Sequence, residues 1–314
     1  MPDASTQTPT VTVVICAYTL DRWELLCSAV RSAAAQSRPP VGIILSIDHN
    51  VELFERASAE WSSGAVDGVP ITVVQNKYDG RLGSARTTAA EIATGDVLAF
   101  LDDDARATEH WLERLVLPYD DPTVLAVGGT PEPDYGATRP KWFPHEFNWV
   151  FGCVYIGLPE RTAPTRRLIG ANMSVRRQAL LDIGGFHSDN HDDMDMCHRL
   201  LIHQPDGEII FEPSAVVDHF VHPERLTWDY FSKRCFRVNR GKVAAHKNLP
   251  GSNNLAADSD FARRTLTAGV LRELRATVRG DLSGLARIGA MVAGVVLAAA
   301  GYAVGTFDWW REHR

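Results

Sequence analysis

Continuous apolar runs that alternate with helical segments constrain the fold of this chain more than any other feature. The runs TVTVVICAY, VGIILSID, PITVVQN, DVLAFLD and VLAVGG each predict a buried strand. Helical segments follow the first four of them, at residues 21–36, 52–61, 84–93 and 110–117. Apolar strands that alternate with helices are typical of a parallel sheet covered by helices on both faces. Residues 10–130 therefore predict an α/β fold with a mostly parallel sheet.

Acidic side chains stand where two of these strands end. Asp48 ends the second strand, and Asp102, Asp103 and Asp104 end the fourth. Because ligands of open α/β sheets bind beyond the carboxyl ends of the strands, these acids should meet at one crevice. A divalent cation with oxygen ligands would offset the repulsion between the three adjacent carboxylates. Alternate side chains of a strand share a face, so Asp102 and Asp104 should point together and Asp103 elsewhere, towards a sugar or ribose hydroxyl. The alternative is an exposed acidic turn that caps the next helix.

Composition excludes several classes of function. Of the 314 residues, 45% are hydrophobic and 23% charged, which is enough apolar material for an ordinary globular core. The net charge of -7 argues against a nucleic-acid partner, which would require a basic surface. The five cysteines include no CxxC pair, so we expect a reducing compartment and neither disulfides nor structural zinc.

The chain changes character after residue 130. Residues 131–152 are rich in proline and aromatic residues without a clear period, which predicts a long ordered loop over the active face. A strand and a helix are predicted within 167–186, a helix from 191, strands within 208–221 and a basic helix over 229–245. The polar residues 1–9 predict a flexible tail, and the polar residues 247–258 predict a linker.

The C-terminal segment contains an uncharged run of twenty residues, 288–307, which is about the length of a membrane-spanning helix. Arginines precede the run, and Trp309 and Trp310 follow it. Basic residues before the run favour a cytoplasmic main domain, and tryptophans suit a membrane interface. We therefore expect the chain at the cytoplasmic face of the cell membrane, bound peripherally or by a single C-terminal span. The alternative is a buried or dimer-forming helix rich in alanine and glycine.

The order and spacing of the motifs resemble the inverting nucleotide-sugar glycosyltransferases of family 2, over about residues 11–247. The motifs are VTVVICAYTLDRW, LSIDHN, GRLGSARTTAAEIATGDVLAFLDDDA, GANMSVRR, GGF and HDDMDMCHR. The segment RPKWFPHEFNWVFGC and a strand that ends in a histidine resemble in particular the glucosyl-dolichyl-phosphate glucuronosyltransferase subgroup. The resemblance implies the GT-A fold, with a Rossmann-like nucleotide-sugar-binding half at 10–130 and an acceptor-binding, catalytic half at 131–247. Residues 248–314 would form the linker and a hydrophobic, membrane-associated helical segment.

The resemblance also implies which residues bind the donor. Asp48 would recognise the base, and the backbone at Ala17 and Tyr18 would line the nucleotide. Arg86 stands in an ARN-like motif, although Thr87 replaces the usual asparagine.

The same family implies a metal site. Asp102 and Asp104 correspond to the DxD pair that contacts Mg²⁺ or Mn²⁺ and the donor, with Asp103 near the ribose or sugar. His219 is the candidate that completes the metal or diphosphate site.

Two acids that open a helix correspond to the family's catalytic pair. Asp193 aligns with the aspartate most often given the role of base, and Asp192, which replaces the usual glutamate, is the second candidate. By spacing alone, a metal site formed by His191, Asp192, Asp195 and His198 is an alternative. For the acceptor, Trp142 could stack on a sugar or belong to a small core, and the backbone from Gly170 to Asn172 could approach the acceptor closely.

These assignments predict a metal-dependent inverting glycosyltransferase. It would move a hexose or hexuronic acid from a nucleotide sugar, with UDP as the expected nucleotide, to a lipid-linked or polysaccharide acceptor. One alternative is a nucleotidyltransferase that makes nucleotide sugars, but CAYTLDRWE lacks the glycine-rich basic loop expected after its first strand. Another is a non-catalytic scaffold, which the Asp192 substitution leaves open.

Overall fold

The structure is a computed structural model, which describes residues 8–79, 81–187, 191–247, 261–312 and 314. Residues 1–7 of the predicted tail and nearly all of the predicted linker lie outside the described residues. The chain divides into two compact units. The α/β unit comprises residues up to Glu132 and Pro159–His219, and the C-terminal unit comprises Pro133–Leu158 and Phe220–Arg314.

The described strands form one mixed sheet in the order β3-β4-β2-β1-β5-β9-β7-β10-β6, and β8 pairs with β10. The strands are β1 (Val11–Ala17), β2 (Gly42–Ile47), β3 (Ala65–Val66), β4 (Val69–Gln75), β5 (Val97–Asp102), β6 (Ala105–Ala107), β7 (Val124–Tyr135), β8 (Ala163–Pro164), β9 (Asn172–Arg176) and β10 (Glu208–Val221). Strands β4, β2, β1 and β5 are parallel, whereas β9 pairs antiparallel with both β5 and β7. The predicted α/β fold with a mostly parallel first half is confirmed.

Helices cover both faces of this sheet in the α/β unit. They are α1 (Trp23–Ala34), α2 (Val51–Glu60), α3 (Leu82–Ile92), α4 (Trp111–Val116), α5 (Arg177–Asp182) and α6 (Asp192–His203). Val13 and Ile15 of β1 belong to one buried cluster, and Val14 between them belongs to another. Because both faces of β1 are buried, its sequence is apolar at every position instead of alternating.

Among its described residues, the C-terminal unit contains three α-helices, α7 (Trp228–Lys247), α8 (Thr267–Val278) and α9 (Ser283–Glu312). Its core is aromatic and includes Phe143, Phe147, Phe151 and Phe231. The prediction of a loop over 131–152 was wrong in its extent, because β7 continues to Tyr135 and a 3-10 helix spans His145–Phe151. The aromatic residues of this segment recur without a helical or strand period because they fill a core in an irregular segment.

Helix α9 is the one helix, among the described residues, that is long and apolar enough to cross a membrane by length and composition. It packs along α7 through glycines. A Cβ atom at Gly301 would lie 2.2 Å from the Phe236 carbonyl oxygen, and one at Gly305 would lie 2.4 Å from that of Arg240. Because real side chains do not tolerate such distances, glycine at these positions permits the close approach of the two backbones.

Candidate active site

The site lies at the carboxyl edge of the parallel strands. In the register of the sheet, Cys16 of β1 pairs with Asp102 of β5, and Ala17 pairs with Ile47 of β2. The amide of Asp48 donates to the Ala17 carbonyl oxygen at 2.8 Å. The structure therefore places Asp48 and the three consecutive aspartates on the same edge, on either side of β1.

A group of three potential metal ligands forms at this edge. One ligand atom from each of Asp102, Asp104 and His219 lies within 4.8 Å of the other two. His219 Nε2 is 3.1 Å from Asp104 and 3.9 Å from Asp102. The antiparallel pairing of β10 with β6 brings His219 here, since His219 stands opposite Ala105. Two carboxylates and an imidazole are suitable donors for Mg²⁺ or Mn²⁺, so the cluster can hold such an ion.

An arginine supplies positive charge at the same acids. The guanidinium of Arg22 lies 2.9 Å from Asp103 and 3.0 Å from Asp104. Burial, together with the neighbouring Asp104 carboxylate, raises the pKa of Asp103 to about 7, against the opposing effect of Arg22. The Asp103 Oδ2 atom is buried and has no hydrogen-bond partner in the described part of the chain. The sequence analysis missed Arg22, although its position one short turn beyond the end of β1 was the available signal.

Arg86 joins the metal cluster to the second acidic pair. Its guanidinium lies 3.2 Å from Asp102 and 2.8 Å from Asp192, and it donates to the Gly170 carbonyl oxygen at 2.8 Å. The Arg86 side chain is 2% exposed. Although burial disfavours its charge, the carboxylates of Asp192 and Asp102 raise its pKa, so it remains a cation. This one residue carries the compensating charge between two acidic groups that are far apart in sequence.

Asp192 and Asp193 open helix α6, as the sequence predicted. Asp193 accepts hydrogen bonds from the amides of Gly170 at 3.0 Å and Met194 at 2.7 Å, which fix its carboxylate. Burial and the adjacent Asp192 raise the pKa of Asp193 to about 6. A carboxylate with such a pKa is ionised at neutral pH and is a stronger base than an ordinary aspartate, which suits a general base.

The predicted nucleotide-binding residues Tyr18 and Asp48 lie at the edge of the sheet that carries the three consecutive aspartates. Tyr18 is 57% exposed, immediately beyond the buried end of β1 at Ala17. The Asp48 carboxylate accepts a hydrogen bond from the Asn76 amide at 2.8 Å, and Asn76 also bonds to Ser84 at the start of α3. Asn76, which the sequence analysis did not select, therefore orients Asp48.

The residues predicted to bind the acceptor have different surroundings. Gly170 lies between Arg86 and Asp193, and a Cβ atom there would be 3.2 Å from Arg86 and 3.3 Å from Asp193. The Asn172 side chain is fully buried and bonds to Trp111 and to the Ala215 carbonyl oxygen. Trp142 packs on the aromatic core of the C-terminal unit, with ring centroids 5.2 Å from Trp228 and 5.6 Å from Phe231.

The structure does not support the alternative metal site near His191 and His198 that the sequence spacing suggested. Asp195, which that site would require, forms an ion pair with Arg199 at 2.8 Å. Within the described ranges, Asp102, Asp104 and His219 are the one group of three ligands that meets the distance limit of a metal site.

Comparison with known proteins agrees with this geometry. The sequence profile described as glycosyl transferase family 2 matches residues 12–184. This chain belongs to glycosyltransferase family 2. The match ends within the turn after α5 and does not include Asp192 and Asp193 at the start of α6.

Two curated relatives and one solved structure extend this glycosyltransferase assignment. The glucosyl-dolichyl phosphate glucuronosyltransferase of Haloferax volcanii is 35% identical over 237 residues, which are 72% of this chain and 74% of the relative. The succinoglycan biosynthesis protein ExoM of Rhizobium meliloti is 28% identical and covers 83% of this chain and 84% of its own. The mannosyltransferase PcManGT of Pyrobaculum calidifontis, solved with GDP-Man and Mn²⁺, has a TM-score of 0.59 at 18% identity and covers 95% of this chain and 88% of its own. The resemblance to the family, its glucuronosyltransferase subgroup and the GT-A fold is confirmed, and the chain is an enzyme of the glycosyltransferase class.

Proposed function

We propose that this glycosyltransferase is a metal-dependent inverting enzyme. It transfers a hexose or hexuronic acid from a nucleotide sugar, with UDP as the nucleotide, to a lipid-linked or polysaccharide acceptor. The observation that carries the proposal is the placement of Arg86 between a metal-ligand cluster and the acidic pair of α6. An inverting transfer needs both groups at once, since the leaving diphosphate and the attacking hydroxyl lie on opposite sides of the anomeric carbon.

Each group of the site has a role in such a displacement. Asp102, Asp104 and His219 would hold Mg²⁺ or Mn²⁺, which supplies Lewis-acid stabilisation of the charge on the leaving diphosphate. Asp193, with its pKa near 6, takes the proton of the acceptor hydroxyl as it attacks. Asp192 keeps Arg86 in place and is the second candidate for the base. Asp48 and the backbone around Ala17 and Tyr18 hold the nucleoside at the neighbouring strand ends.

The relatives support the choice of sugar and acceptor. The Haloferax volcanii relative is named for the transfer of glucuronic acid to a glucosyl-dolichyl phosphate, which favours a hexuronic acid donor and a lipid-phosphate acceptor here. The apolar helix α9 supports association with the cell membrane, and the arginines before its apolar run favour the cytoplasmic face. Family membership favours sugar transfer over the synthesis of nucleotide sugars, and it favours an enzyme over a scaffold.

The proposal is tested by binding and hydrolysis of donors across a panel of nucleotide sugars, with Mn²⁺, with Mg²⁺ and with a chelator. We expect one UDP-sugar to bind in a metal-dependent manner. Asp104→Ala should abolish this binding, whereas Asp120→Ala, which removes an exposed aspartate outside the cluster, should leave it unchanged. Failure of every nucleotide sugar to bind with either metal would contradict the proposal.

A further inference from the structure

Helix α9 has one buried and one exposed face, and the exposed face is apolar along its length. The buried residues are Gly284, Ala290, Met291, Gly294, Gly301 and Gly305. The exposed large residues are between 39% and 73% accessible from the turn before α9 to its end: Leu282, Leu285, Val292, Val295, Val296, Val304, Phe307 and Trp310. Apolar side chains at helical spacing that remain exposed are unfavourable in water, so this face requires a partner.

The neighbouring helix α7 is incompatible with a transmembrane position of α9. Gly294 packs on the Phe231 ring, and the backbone at Gly301 and Gly305 packs on α7 at Phe236 and Arg240. The exposed residues of α7 include four cations, Lys233, Arg234, Arg237 and Arg240, of which Lys233 pairs with Asp229 and Arg240 with Asp308 of α9 at the protein surface. Crossing the bilayer with α9 packed in this way would bring these cations into the hydrocarbon, which is strongly disfavoured.

Ion pairs that include two buried glutamates, Glu273 and Glu146, fix the start of α9 to the C-terminal unit. Arg287 contacts Glu273 of α8 and Asp281, each at 2.6 Å, and donates to the Lys141 carbonyl oxygen at 3.0 Å. Glu273 also pairs with Arg272, which reaches the fully buried Glu146. Separating α9 from the unit would remove Arg287 from the buried carboxylate of Glu273, so the start of α9 stays attached to α8 and to the segment around Lys141.

The charge of the C-terminal unit suits an anionic surface. Residues 133–158 and 220–314 contain 17 Lys and Arg against 10 Asp and Glu, although the whole chain carries a net charge of -7. Two exposed arginines, Arg275 of α8 and Arg279 directly after its end, lie near the exposed side chains of Leu271, Leu274 and Val278 in the sequence. Basic residues that border an apolar helical face are typical of helices that lie in the interface of an anionic bilayer.

We propose that α8 and α9 form a monotopic membrane-binding hairpin, which lies in the plane of an anionic bilayer and does not span it. The exposed apolar face of α9 enters the boundary between headgroups and acyl chains, and the cations of α7 and α8 contact the anionic headgroups. The inference rests on the membrane association proposed above, but it is independent of the donor and of the metal. It places both ends of α9 on the side of the membrane that carries the rest of the chain.

Vesicle flotation of the purified full chain tests the surface. We expect binding to vesicles of phosphatidylcholine with phosphatidylglycerol, and much weaker binding to phosphatidylcholine alone. Val296→Glu, at a position 61% exposed, should weaken binding on the order of tenfold or more. The matched control is Val51→Glu in α2, which is 63% exposed and should bind as the unaltered chain does. Equal binding of the two variants, or no binding to anionic vesicles, would overturn the proposal. The proposal would also be overturned if the chain does not bind vesicles but forms a dimer that the Val296→Glu substitution dissociates.

Thiol labelling of vesicle-bound protein distinguishes the hairpin from a span. Ser283→Cys and Glu312→Cys introduce a thiol at the two ends of α9. A membrane-impermeant maleimide added outside should label both variants above the background of the unaltered chain, whereas protection of the Cys at 312 alone would show a span. Binding of the nucleotide sugar is measured on the same preparations. Vesicle binding without donor binding would contradict the proposed function and leave the hairpin intact.

Discussion

Replacement of Arg86 by methionine is the change that best tests the electrostatics of the site. The methionine keeps much of the side-chain volume but removes the charge shared by Asp102 and Asp192. Because Arg86 is 2% exposed, water cannot replace its contacts, and the Gly170 carbonyl oxygen also loses its donor. Breaking a buried ion pair by removing one partner costs about 3–5 kcal/mol. For a protein of this size, whose entropy of unfolding is on the order of 0.7 kcal/mol/K, the midpoint of thermal unfolding should fall by roughly 5–8 °C.

The matched control is Arg106→Met. The guanidinium of Arg106 lies 2.6 Å from Asp218, closer than Arg86 lies to either of its acids, but its side chain is 63% exposed. Exposed pairs contribute about 0–1 kcal/mol, so this variant should lose little stability. Urea and thermal unfolding in the presence of a chelator measure the stability of both variants and of the unaltered chain. An equal, small loss in the two would refute the argument that burial at Arg86 determines the energetics of the site.

The loss of stability in Arg86→Met should depend on pH in a defined direction. The pKa of Asp193 in the folded chain is about 6, above the ordinary value of an aspartate, because of burial and of Asp192, while Arg86 opposes the shift. A carboxyl with a raised pKa binds protons more tightly in the folded state, so its ionisation costs stability as the pH rises through that pKa. Without Arg86 this cost grows. Removal of Arg86 should raise the pKa of Asp193 above 6, so the part of the stability difference between Arg86→Met and the unaltered chain that comes from Asp193 should be present well above pH 6, shrink as the pH falls towards about 6, and be almost gone by about pH 5.

Two further predictions concern catalysis and the packing of α9. Asp193→Asn should lower turnover by about 10²–10⁴-fold while donor binding persists. In the unaltered enzyme, kcat/KM should fall about tenfold per pH unit below the Asp193 pKa of about 6. If a steady-state assay shows that Asp193→Asn retains turnover, the role of base passes to Asp192. Gly301→Ala should destabilise the chain, because its Cβ would lie 2.2 Å from the Phe236 carbonyl oxygen, whereas Gly289→Ala, with nothing within 4 Å, should stabilise it by about 0.5–1 kcal/mol. Thermal unfolding measures the stability of both glycine variants. A change in stability of the same sign in the two would contradict the close packing of α9 on α7.

Strand content and the acidic motifs were predictable from the sequence for a physical reason. A strand buried on both faces, such as β1, must be apolar throughout, and its pattern is therefore visible without knowledge of its neighbours. The same logic placed Asp48 and Asp102 at one sheet edge, since all carboxyl ends of parallel strands share that edge. The aromatic segment at 131–152 was mispredicted because its residues pack irregularly around Phe231 and Met291, which lie far away in sequence.

Counter-charges were the part of the site that the sequence did not reveal. Three adjacent aspartates require compensation, but the sequence cannot say whether a metal, an arginine or a histidine provides it. In the structure Arg22 reaches Asp103 and Asp104, and Arg86 reaches Asp102. Both arginines belong to elements that follow other strands, so their proximity depends on the order of strands in the sheet.

The sequence by itself determined the class of fold, the family and the identity of the acidic residues, because these depend on local periodicity and on motifs within single elements. Only the tertiary structure decided which charges meet, since the pairing of Arg86 with Asp192 joins α3 to α6 across 106 positions of the chain. It also decided the environment of α9. Residues 288–307 meet the length and composition of a membrane span, yet the fold packs their glycine face against a helix that carries four exposed cations. Hydropathy is a property of one segment, whereas the cost of burying charge depends on what that segment packs against.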